Sequence, residues 1–288
     1  MTLDRRFIEL YDDYTHRPLA RRVFLERLML LAGSAAAAEA VLGVLEPNYA
    51  RAAIVAPDDA RIVTRRVTFD GPDGQVVGYE ARPKDGTRNP TVIVIHENRG
   101  LNPHIEDVAR HLATDGILAV AVDFLQPLGG TPADPDAARA LFAKLTPDAV
   151  AAQARVVADA LRKDPRGLGK VGAVGFCWGG GMVNQLATRP GIIDVGVAYY
   201  GMAPDTADVA KIKAPLVLHY AGLDTRVNAS RPAYEEALKA ANVPHSIYVY
   251  EGVDHAFNND TSAERYNADA AKLAWGRTVD FFKQTLAS

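Results

Sequence analysis

The feature that most constrains the fold of this chain is a short apolar run that leads to a cysteine between two glycines. Residues 171–174 are apolar, Gly175 interrupts them, and a helix-like segment follows, which predicts a strand, a sharp turn and a helix. Gly175 and Gly179 fit the pattern Gly-x-nucleophile-x-Gly, because the strained turn leaves no room for side chains beside the reactive residue. The turn also sets Cys177 above a helix N-terminus, whose dipole favours a thiolate. We therefore predict that Cys177 is an activated nucleophile.

Two other interpretations of this turn are weaker. The glycines do not form Gly-x-Gly-x-x-Gly, and no acidic residue ends the next apolar run at residues 195–200, so a dinucleotide-binding loop does not fit. A cysteine that merely packs in a tight turn is the other alternative. It is less favoured because histidine and acidic residues stand at fitting places elsewhere in the sequence.

Length, charge and cysteine content narrow the class of protein. A chain of 288 residues with 48% hydrophobic content can bury one large α/β core. The net charge is −3 and the body of the chain has no basic run, which argues against a nucleic-acid partner. A single cysteine excludes an intramolecular disulfide and a cysteine-based zinc cluster. We expect neither a metal nor a cofactor.

Residues 1–52 differ in pattern from the rest and are predicted to be an N-terminal extension. Arg21 and Arg22 precede an alanine-rich, mildly apolar stretch at residues 28–45, and Ala50-Arg51-Ala52 has small residues at the spacing that signal peptidase prefers. This resembles a twin-arginine signal, which predicts the twin-arginine export machinery as a partner and a periplasmic protein. The alternative is an amphipathic helical extension docked on the domain of a cytoplasmic protein.

The remainder, residues 53–288, is predicted to form one domain in which strands alternate with helices. A hairpin signal at residues 71–74 separates the first two strands, and a run buried on both faces follows at residues 91–95. Later apolar runs stand at residues 117–122, 171–174, 195–200, 215–220 and 246–250. Helical patterns lie between them, and a last one spans residues 263–286. We predict an α/β fold, with a mostly parallel central sheet flanked by helices on both faces.

Two loops after predicted strands carry the partners that a cysteine nucleophile needs. Asp224 and His255 follow apolar runs, and the chain order nucleophile, acid, histidine is that of the α/β-hydrolases. In this arrangement His255 takes the proton of Cys177, while Asp224 orients the ring and stabilises the imidazolium. Asp254 is the competing acid, although its side chain is adjacent to the histidine in sequence and points elsewhere.

A further loop, residues 96–100, follows the first buried strand. In α/β-hydrolases this loop supplies one backbone N–H of the oxyanion hole, and the residue after the nucleophile supplies the other. The amides of Asn98 and Trp178 are therefore the candidates. Glu97 in the same loop is either a solvated carboxylate without a task or a group that controls the thiol proton opposite Cys177.

With these residues placed, about residues 60–286 resemble the dienelactone hydrolase family. The resemblance is carried by the cysteine elbow, the loop with Glu97, the segment 219–224 and His255-Ala256-Phe257. It implies a triad of Cys177, Asp224 and His255. It also implies that Glu97 holds the resting thiol until substrate binding lets a thiolate form, and that an acyl-enzyme is then hydrolysed by water.

The sequence departs from this family where the substrate carboxylate is held. The resemblance calls for an arginine four residues after the histidine, where Asn259 stands, and for another in a region that reads Asp-Phe-Leu-Gln-Pro at residues 123–127. Arg99 and Arg226 are candidate replacements from neighbouring loops, with Asn259 as a third substrate contact. The alternative for the two arginines is that they are solvated surface residues.

The function that this sequence predicts is hydrolysis of lactones or small carboxylic esters by a cysteine-dependent α/β-hydrolase. A general carboxylesterase with another acyl specificity and a non-catalytic binding scaffold of the same fold are the alternatives. The oligomeric state is not predicted. His16 and His245 have no sequence context that indicates a role, and His104 and His111 are interpreted as surface residues rather than a metal site.

Overall fold

An eight-stranded, mostly parallel sheet forms the centre of the computed structural model, which describes residues 3–17, 19–49, 54–72 and 74–287. The strands lie in the order β1-β2-β4-β3-β5-β6-β7-β8. Strands β3 to β8 run parallel, while β2 is antiparallel to both β1 and β4. Their bounds are β1 Ile62–Gly71, β2 Gly74–Pro83, β3 Asn89–Ile95, β4 Leu118–Val122, β5 Gly167–Phe176, β6 Val195–Tyr199, β7 Leu216–Ala221 and β8 His245–Tyr250.

Helices cover both faces of the sheet because its central strands are apolar on both sides. In β3, Val92 and Val94 face one hydrophobic cluster, while Ile93 and Ile95 face the other. The first cluster includes residues of α4 (Pro103–Thr114) and α10 (Ala268–Leu286). The second includes residues of α6 (Pro147–Lys163), α7 (Trp178–Ala187) and α9 (Arg231–Ala240). The predicted α/β fold with helices on both faces is confirmed.

Some element boundaries differ from the prediction. The last helix begins at Ala268 rather than at residue 263, because the side chain of Asn267 caps it by accepting a hydrogen bond from the Ala270 amide. Two short helices, α5 (Pro135–Phe142) and α8 (Thr225–Asn228), were not predicted. The predicted hairpin joins β1 to β2, and its residue Asp73 lies outside the described residues.

The described part of residues 1–52 folds into the helices α1 (Arg5–His16), α2 (Arg21–Ala32) and α3 (Ala35–Leu45). They share a hydrophobic cluster of their own, formed by Ile8, Tyr11, Tyr14, Phe24, Leu28, Ala38 and Leu45. Gly33 ends α2 with a positive φ of 80°, and Ser34 caps α3. The predicted cleavage motif at residues 50–52 lies outside the described residues.

The apolar stretch of the N-terminal extension is divided between helices α2 and α3. No single helix in the described part of the chain is long and apolar enough to cross a membrane. Helices α2 and α3 pass that test of length and composition only as a pair, and the chain bends by 112° between them.

Polar contacts fasten the extension to the domain beside the sheet. The Tyr14 hydroxyl donates to Asp136 Oδ1 at 2.6 Å, and Arg265 reaches Asp12 at 3.3 Å. The side-chain amide of Asn98 donates to the carbonyl of Thr15 at 2.7 Å. Helix α1 therefore ends at the carboxyl edge of the parallel strands, where the predicted site residues lie.

Candidate active site

Cys177 lies on a strained turn between β5 and α7, as the elbow pattern predicts. Its backbone has φ 56° and ψ −115°, a conformation that side-chain-bearing residues rarely adopt. Glycine is required on either side: a Cβ at Gly175 would lie 2.1 Å from the Gly179 carbonyl oxygen, and one at Gly179 would lie 2.3 Å from that of Ile95. The backbone N–H of Cys177 donates to Tyr199 at 3.0 Å. The turn thus holds the sulfur at the edge of the sheet, at the start of α7.

The histidine and the aspartate form a buried pair near this sulfur. Nδ1 of His255 lies 2.5 Å from Asp224 Oδ2, and both side chains are almost fully buried. Burial lowers the pKa of His255, but the charge of Cys177 and the hydrogen bond with Asp224 outweigh it and raise that pKa to about 10. Asp254 instead pairs with Arg5 of α1 at 3.4 Å. The structure brings Asp224, rather than Asp254, to the histidine.

The second nitrogen of His255 is available for chemistry. Within the described residues its Nε2 has no hydrogen-bond partner, although the side chain is only 3% exposed. A carboxylate accepts hydrogen bonds only, so Nδ1 carries a proton in either state of the ring, and Nε2 presents a lone pair when the ring is neutral. The raised pKa describes the imidazolium that forms when the sulfur beside it is a thiolate. This arrangement can accept a proton from a nearby thiol.

The structure places His16, for which the sequence indicated no role, against the candidate nucleophile. Nε2 of His16 lies 3.2 Å from Cys177 Sγ, and its ring packs edge-on against His255 with centroids 4.5 Å apart. Burial lowers the pKa of His16 well below its usual value, and the charges of His255 and Arg226 lower it further. His16 is therefore a neutral imidazole at the sulfur.

Glu97 does not make the contact with the sulfur that the family resemblance implies. Its Oε2 accepts a hydrogen bond at 3.0 Å from the side chain of Asn259, and the sulfur's hydrogen-bond partner is His16. Asn259, a candidate substrate contact, thus fixes Glu97, and its own Oδ1 accepts from Thr261. The amide that stands in place of the expected arginine thus binds the neighbouring carboxylate.

The two candidate arginines have different surroundings. Arg99 is buried and pairs with Asp136 at 3.2 Å, so it supports the docking of the extension rather than lying on the surface. Arg226 is half-buried and lines the cavity that contains Cys177. Of the predicted arginine contacts, Arg226 is the one placed along that cavity.

A cavity of about 520 Å³ opens at the sulfur. The extension forms one wall through Thr15, His16, Arg17 and Leu19, and aromatic and thioether side chains form much of the rest. Those apolar residues are Phe142, Trp178, Met182 and Met202. Trp178 begins α7, where the backbone N–H has no intrahelical acceptor, and Asn98 also lines the cavity. The two predicted oxyanion-hole residues therefore border the same space.

Tyr200, which follows β6, is a second residue that sequence reasoning missed. Within the described residues its hydroxyl has no hydrogen-bond partner, and its backbone has a positive φ of 38°. Burial raises its pKa well above the usual value, and the charges of Glu97 and Cys177 raise it further, so it remains a donor. Its position at the carboxyl end of a predicted strand was the signal that could have identified it.

The sequence gives only a weak indication that His16 belongs to the site. Ile8, Tyr11 and Thr15 are buried at helical spacing on one face of α1, which marks a docking helix, but no motif surrounds the histidine itself. His104 was also misjudged: it is buried, and its Nδ1 lies 3.2 Å from Asp260.

His16, Cys177 and His255 are the side chains in the described part of the chain that could together hold a metal ion. Their ligand atoms lie within 4.8 Å of one another.

Comparisons with known proteins identify the family to which this chain is similar. The dienelactone hydrolase family model matches residues 76–286. A Methylorubrum extorquens protein, provisionally named carboxymethylenebutenolidase, is 31% identical over 284 residues, with 93% of this chain and 96% of that protein covered. An Escherichia coli O157:H7 protein with the same provisional name is 34% identical over 245 residues, covering 79% of this chain and 89% of that protein.

A solved structure from Klebsiella pneumoniae, provisionally named dienelactone hydrolase, is similar in fold. It is 29% identical with a TM-score of 0.70, and the match covers 77% of this chain and 99% of that one. The similarity thus takes in nearly all of the Klebsiella chain and leaves about a quarter of this one outside.

Proposed function

This chain belongs to the dienelactone hydrolase family, and we propose that it hydrolyses lactones or small carboxylic esters through an acyl-enzyme on Cys177. The observation that carries the proposal is the buried Asp224–His255 pair, which has a histidine nitrogen within 4.8 Å of the sulfur of a cysteine on a strained elbow. A buried nucleophile, base and orienting acid in this order are what acyl transfer requires.

The first half of the proposed reaction acylates the sulfur. Nε2 of His255 takes the proton of the Cys177 thiol, and the thiolate attacks the carbonyl carbon of the ester. The amides of Asn98 and Trp178 would stabilise the oxyanion. As the tetrahedral intermediate collapses, the C–O bond breaks and His255 gives the proton to the departing alkoxide, which leaves a thioester. In a lactone the alcohol stays attached to the acyl group.

The second half releases the acid. His255 takes a proton from water, the hydroxide attacks the thioester carbonyl, and the C–S bond breaks. The thiolate then regains the proton from His255, so one ester and one water become one acid and one alcohol. Asp224 stabilises the imidazolium in both halves.

The cavity favours substrates with an apolar body. Aromatic and methionine side chains line much of it, and Arg226 is placed to attract a carboxylate. An anionic lactone would use both features, whereas a general carboxylesterase would use the apolar wall alone. A scaffold that only binds a ligand would not need a nucleophile, a base and an acid together in one site.

Hydrolysis of a two-substrate panel tests the proposed function. Dienelactone and an uncharged aryl acetate are given to the wild type and to Cys177→Ala. We expect turnover by the wild type and its loss in Cys177→Ala, with unchanged circular dichroism. Preference for the lactone would support recognition by Arg226, and preference for the acetate would support the general esterase. Turnover that survives Cys177→Ala would remove the acyl-enzyme from the mechanism.

Export by the twin-arginine route is a separate proposal, and it is compatible with a retained extension only if the signal is not cleaved. The twin-arginine pair Arg21-Arg22 lies at the start of α2, where Arg21 pairs with Asp136. A fusion of residues 1–60 to a folded reporter should reach the periplasm, and its Arg21→Lys, Arg22→Lys version should stay in the cytoplasm. Export of both versions would refute the twin-arginine interpretation.

A further inference from the structure

We propose that the N-terminal helices are a permanent wall of the active site and that His16 is the residue that holds the resting thiol of Cys177. The assignment deepens the proposed function and rests on it for the reaction that the thiol performs. It gives to His16 the task that the family resemblance gives to Glu97, whose carboxylate is bound by Asn259.

The hydrogen bonds around His16 determine which atom carries the proton. Its Nδ1 lies 2.9 Å from the Asp12 carbonyl oxygen and 3.0 Å from the Thr15 hydroxyl oxygen. A carbonyl oxygen accepts only, and the Thr15 hydroxyl already donates to the Tyr11 carbonyl at 3.0 Å. Nδ1 is therefore the protonated nitrogen, and Nε2 presents its lone pair to Sγ at 3.2 Å. In this tautomer the contact is satisfied by a thiol that donates its S–H to His16.

The two imidazoles at the sulfur thus have different tasks. Each ring has a nitrogen within 4.8 Å of Cys177 Sγ, but Nδ1 of His255 binds a carboxylate and Nδ1 of His16 binds a backbone carbonyl. The charge of Cys177 and the carboxylate of Asp224 raise the pKa of His255, whereas burial and neighbouring positive charge lower that of His16. Titratable groups whose environments separate their proton affinities divide the acid–base work. His16 holds the thiol, and His255 removes its proton.

His16 is fixed in place by contacts that cross from the extension to the domain. Asn98, on the loop that follows β3, binds the Thr15 carbonyl next to His16. Asp136 of α5 accepts from the Tyr14 hydroxyl and also pairs with Arg21 and Arg99. Because Arg99 is buried, loss of this network would leave a charge without its partner, which is costly. The wall is therefore tied down on both sides of the histidine.

Known relatives differ in how much of residues 1–52 their match with this chain includes. The match with the Methylorubrum extorquens protein leaves out 7% of 288 residues, which is about 20 residues, so it includes most of residues 1–52. The match with the Klebsiella pneumoniae structure covers 77% of this chain and nearly all of that one. The Methylorubrum extorquens protein therefore has a counterpart of most of the extension.

Alkylation of the thiol tests the role of His16 without any need for turnover. Cys177 is the single cysteine of the chain, so every alkylated sulfur is Cys177. The reaction rate with iodoacetamide is measured against pH for the full-length wild type, His16→Asn and His245→Asn. Asparagine keeps an N–H for the Asp12 carbonyl but is too short to reach the sulfur. His245 is the matched control, because its Nδ1 also binds a backbone carbonyl, that of Val243 at 2.7 Å.

The thiol-holding role predicts the direction of the change. Without the acceptor for its S–H, the thiol ionises at lower pH, and His16→Asn should react about threefold faster or more at neutral pH. His245→Asn should match the wild type. His16→Gln, which reaches the Nε2 position and can donate an N–H to a thiolate, should shift the profile in the same direction. Profiles that stay unchanged or move to higher pH in both His16 variants would overturn the assignment.

The outcomes also separate this inference from the proposed function. A shifted alkylation profile in a protein that hydrolyses neither test ester keeps the role of His16 and rejects the ester hydrolase. Cys177-dependent turnover with an unshifted alkylation profile keeps the ester hydrolase and rejects the role of His16. The intact mass of the protein from cells that make it naturally decides the permanence of the wall, because cleavage near residue 53 would remove His16.

Discussion

The two histidines at Cys177 come from opposite ends of the chain and are supported in different ways. His255 belongs to a loop after β8 and rests on the carboxylate of Asp224, whereas His16 ends α1 and rests on the carbonyl of Asp12. A carboxylate stabilises an imidazolium by its charge, while a carbonyl fixes only the tautomer and orientation. The group that binds Nδ1 of each ring therefore determines whether the ring can remove the proton of the sulfur or only accept a hydrogen bond from it.

Removal of the carboxylate is expected to have the largest effect. In Asp224→Asn the amide can donate to Nδ1, which moves the ring proton to Nε2 and leaves no base for the thiol. We expect kcat to fall by roughly 10⁴-fold, the cost of presenting such a histidine in the wrong tautomer. Asp254→Asn is the matched control, because that carboxylate pairs with Arg5 instead. Similar losses in both variants would contradict the assignment of Asp224 as the orienting acid.

The pH dependence of stability should distinguish the two histidines. The pKa of His255 is raised from 6.5 to about 10 in the folded protein, so its stabilising contribution is complete below pH 6.5 and is lost as the pH rises towards 10. The pKa of His16 is lowered, so the unfolded chain binds that proton more readily and stability is lost as the pH falls below 6.5. The two contributions have opposite slopes.

Urea unfolding across this range provides the measurement. The free energy of unfolding of His16→Asn should fall less steeply on the acid side than that of the wild type. That of His255→Asn should fall less steeply on the alkaline side. If both variants flatten the same side of the curve, the two rings share one protonation state and the contrast between their partners is wrong.

The same contrast explains how far the sequence could predict the site. The strand runs and the loops after them place Cys177, Asp224 and His255 at one sheet edge, because parallel strands all end there. His16 lies 161 residues from Cys177 and reaches it only through the docking of α1. That docking depends on contacts such as Asn98 with Thr15, which leave no local pattern in the sequence.

The N-terminal segment shows a second limit of prediction. Paired arginines and an alanine-rich stretch are features that an export signal and a docked pair of helices have in common. In the structure Arg21 forms an ion pair with Asp136, and Phe24 and Leu28 are buried in the hydrophobic cluster of the extension. The composition indicates a mildly apolar segment, but only the three-dimensional arrangement shows which residues that segment packs against.

The smallest expected effect concerns the hydroxyl beside His16. Thr15→Val keeps the size of the side chain and removes the oxygen 3.0 Å from His16 Nδ1, while the Asp12 carbonyl at 2.9 Å remains. Because one hydrogen bond contributes about 1 kcal/mol, the alkylation profile of Cys177 should shift in the direction of His16→Asn but by less. Iodoacetamide kinetics on both variants make the comparison. A shift as large as that of His16→Asn would mean that the Thr15 hydroxyl, rather than the Asp12 carbonyl, fixes the ring of His16. His16 would then be oriented by a side chain, as His255 is.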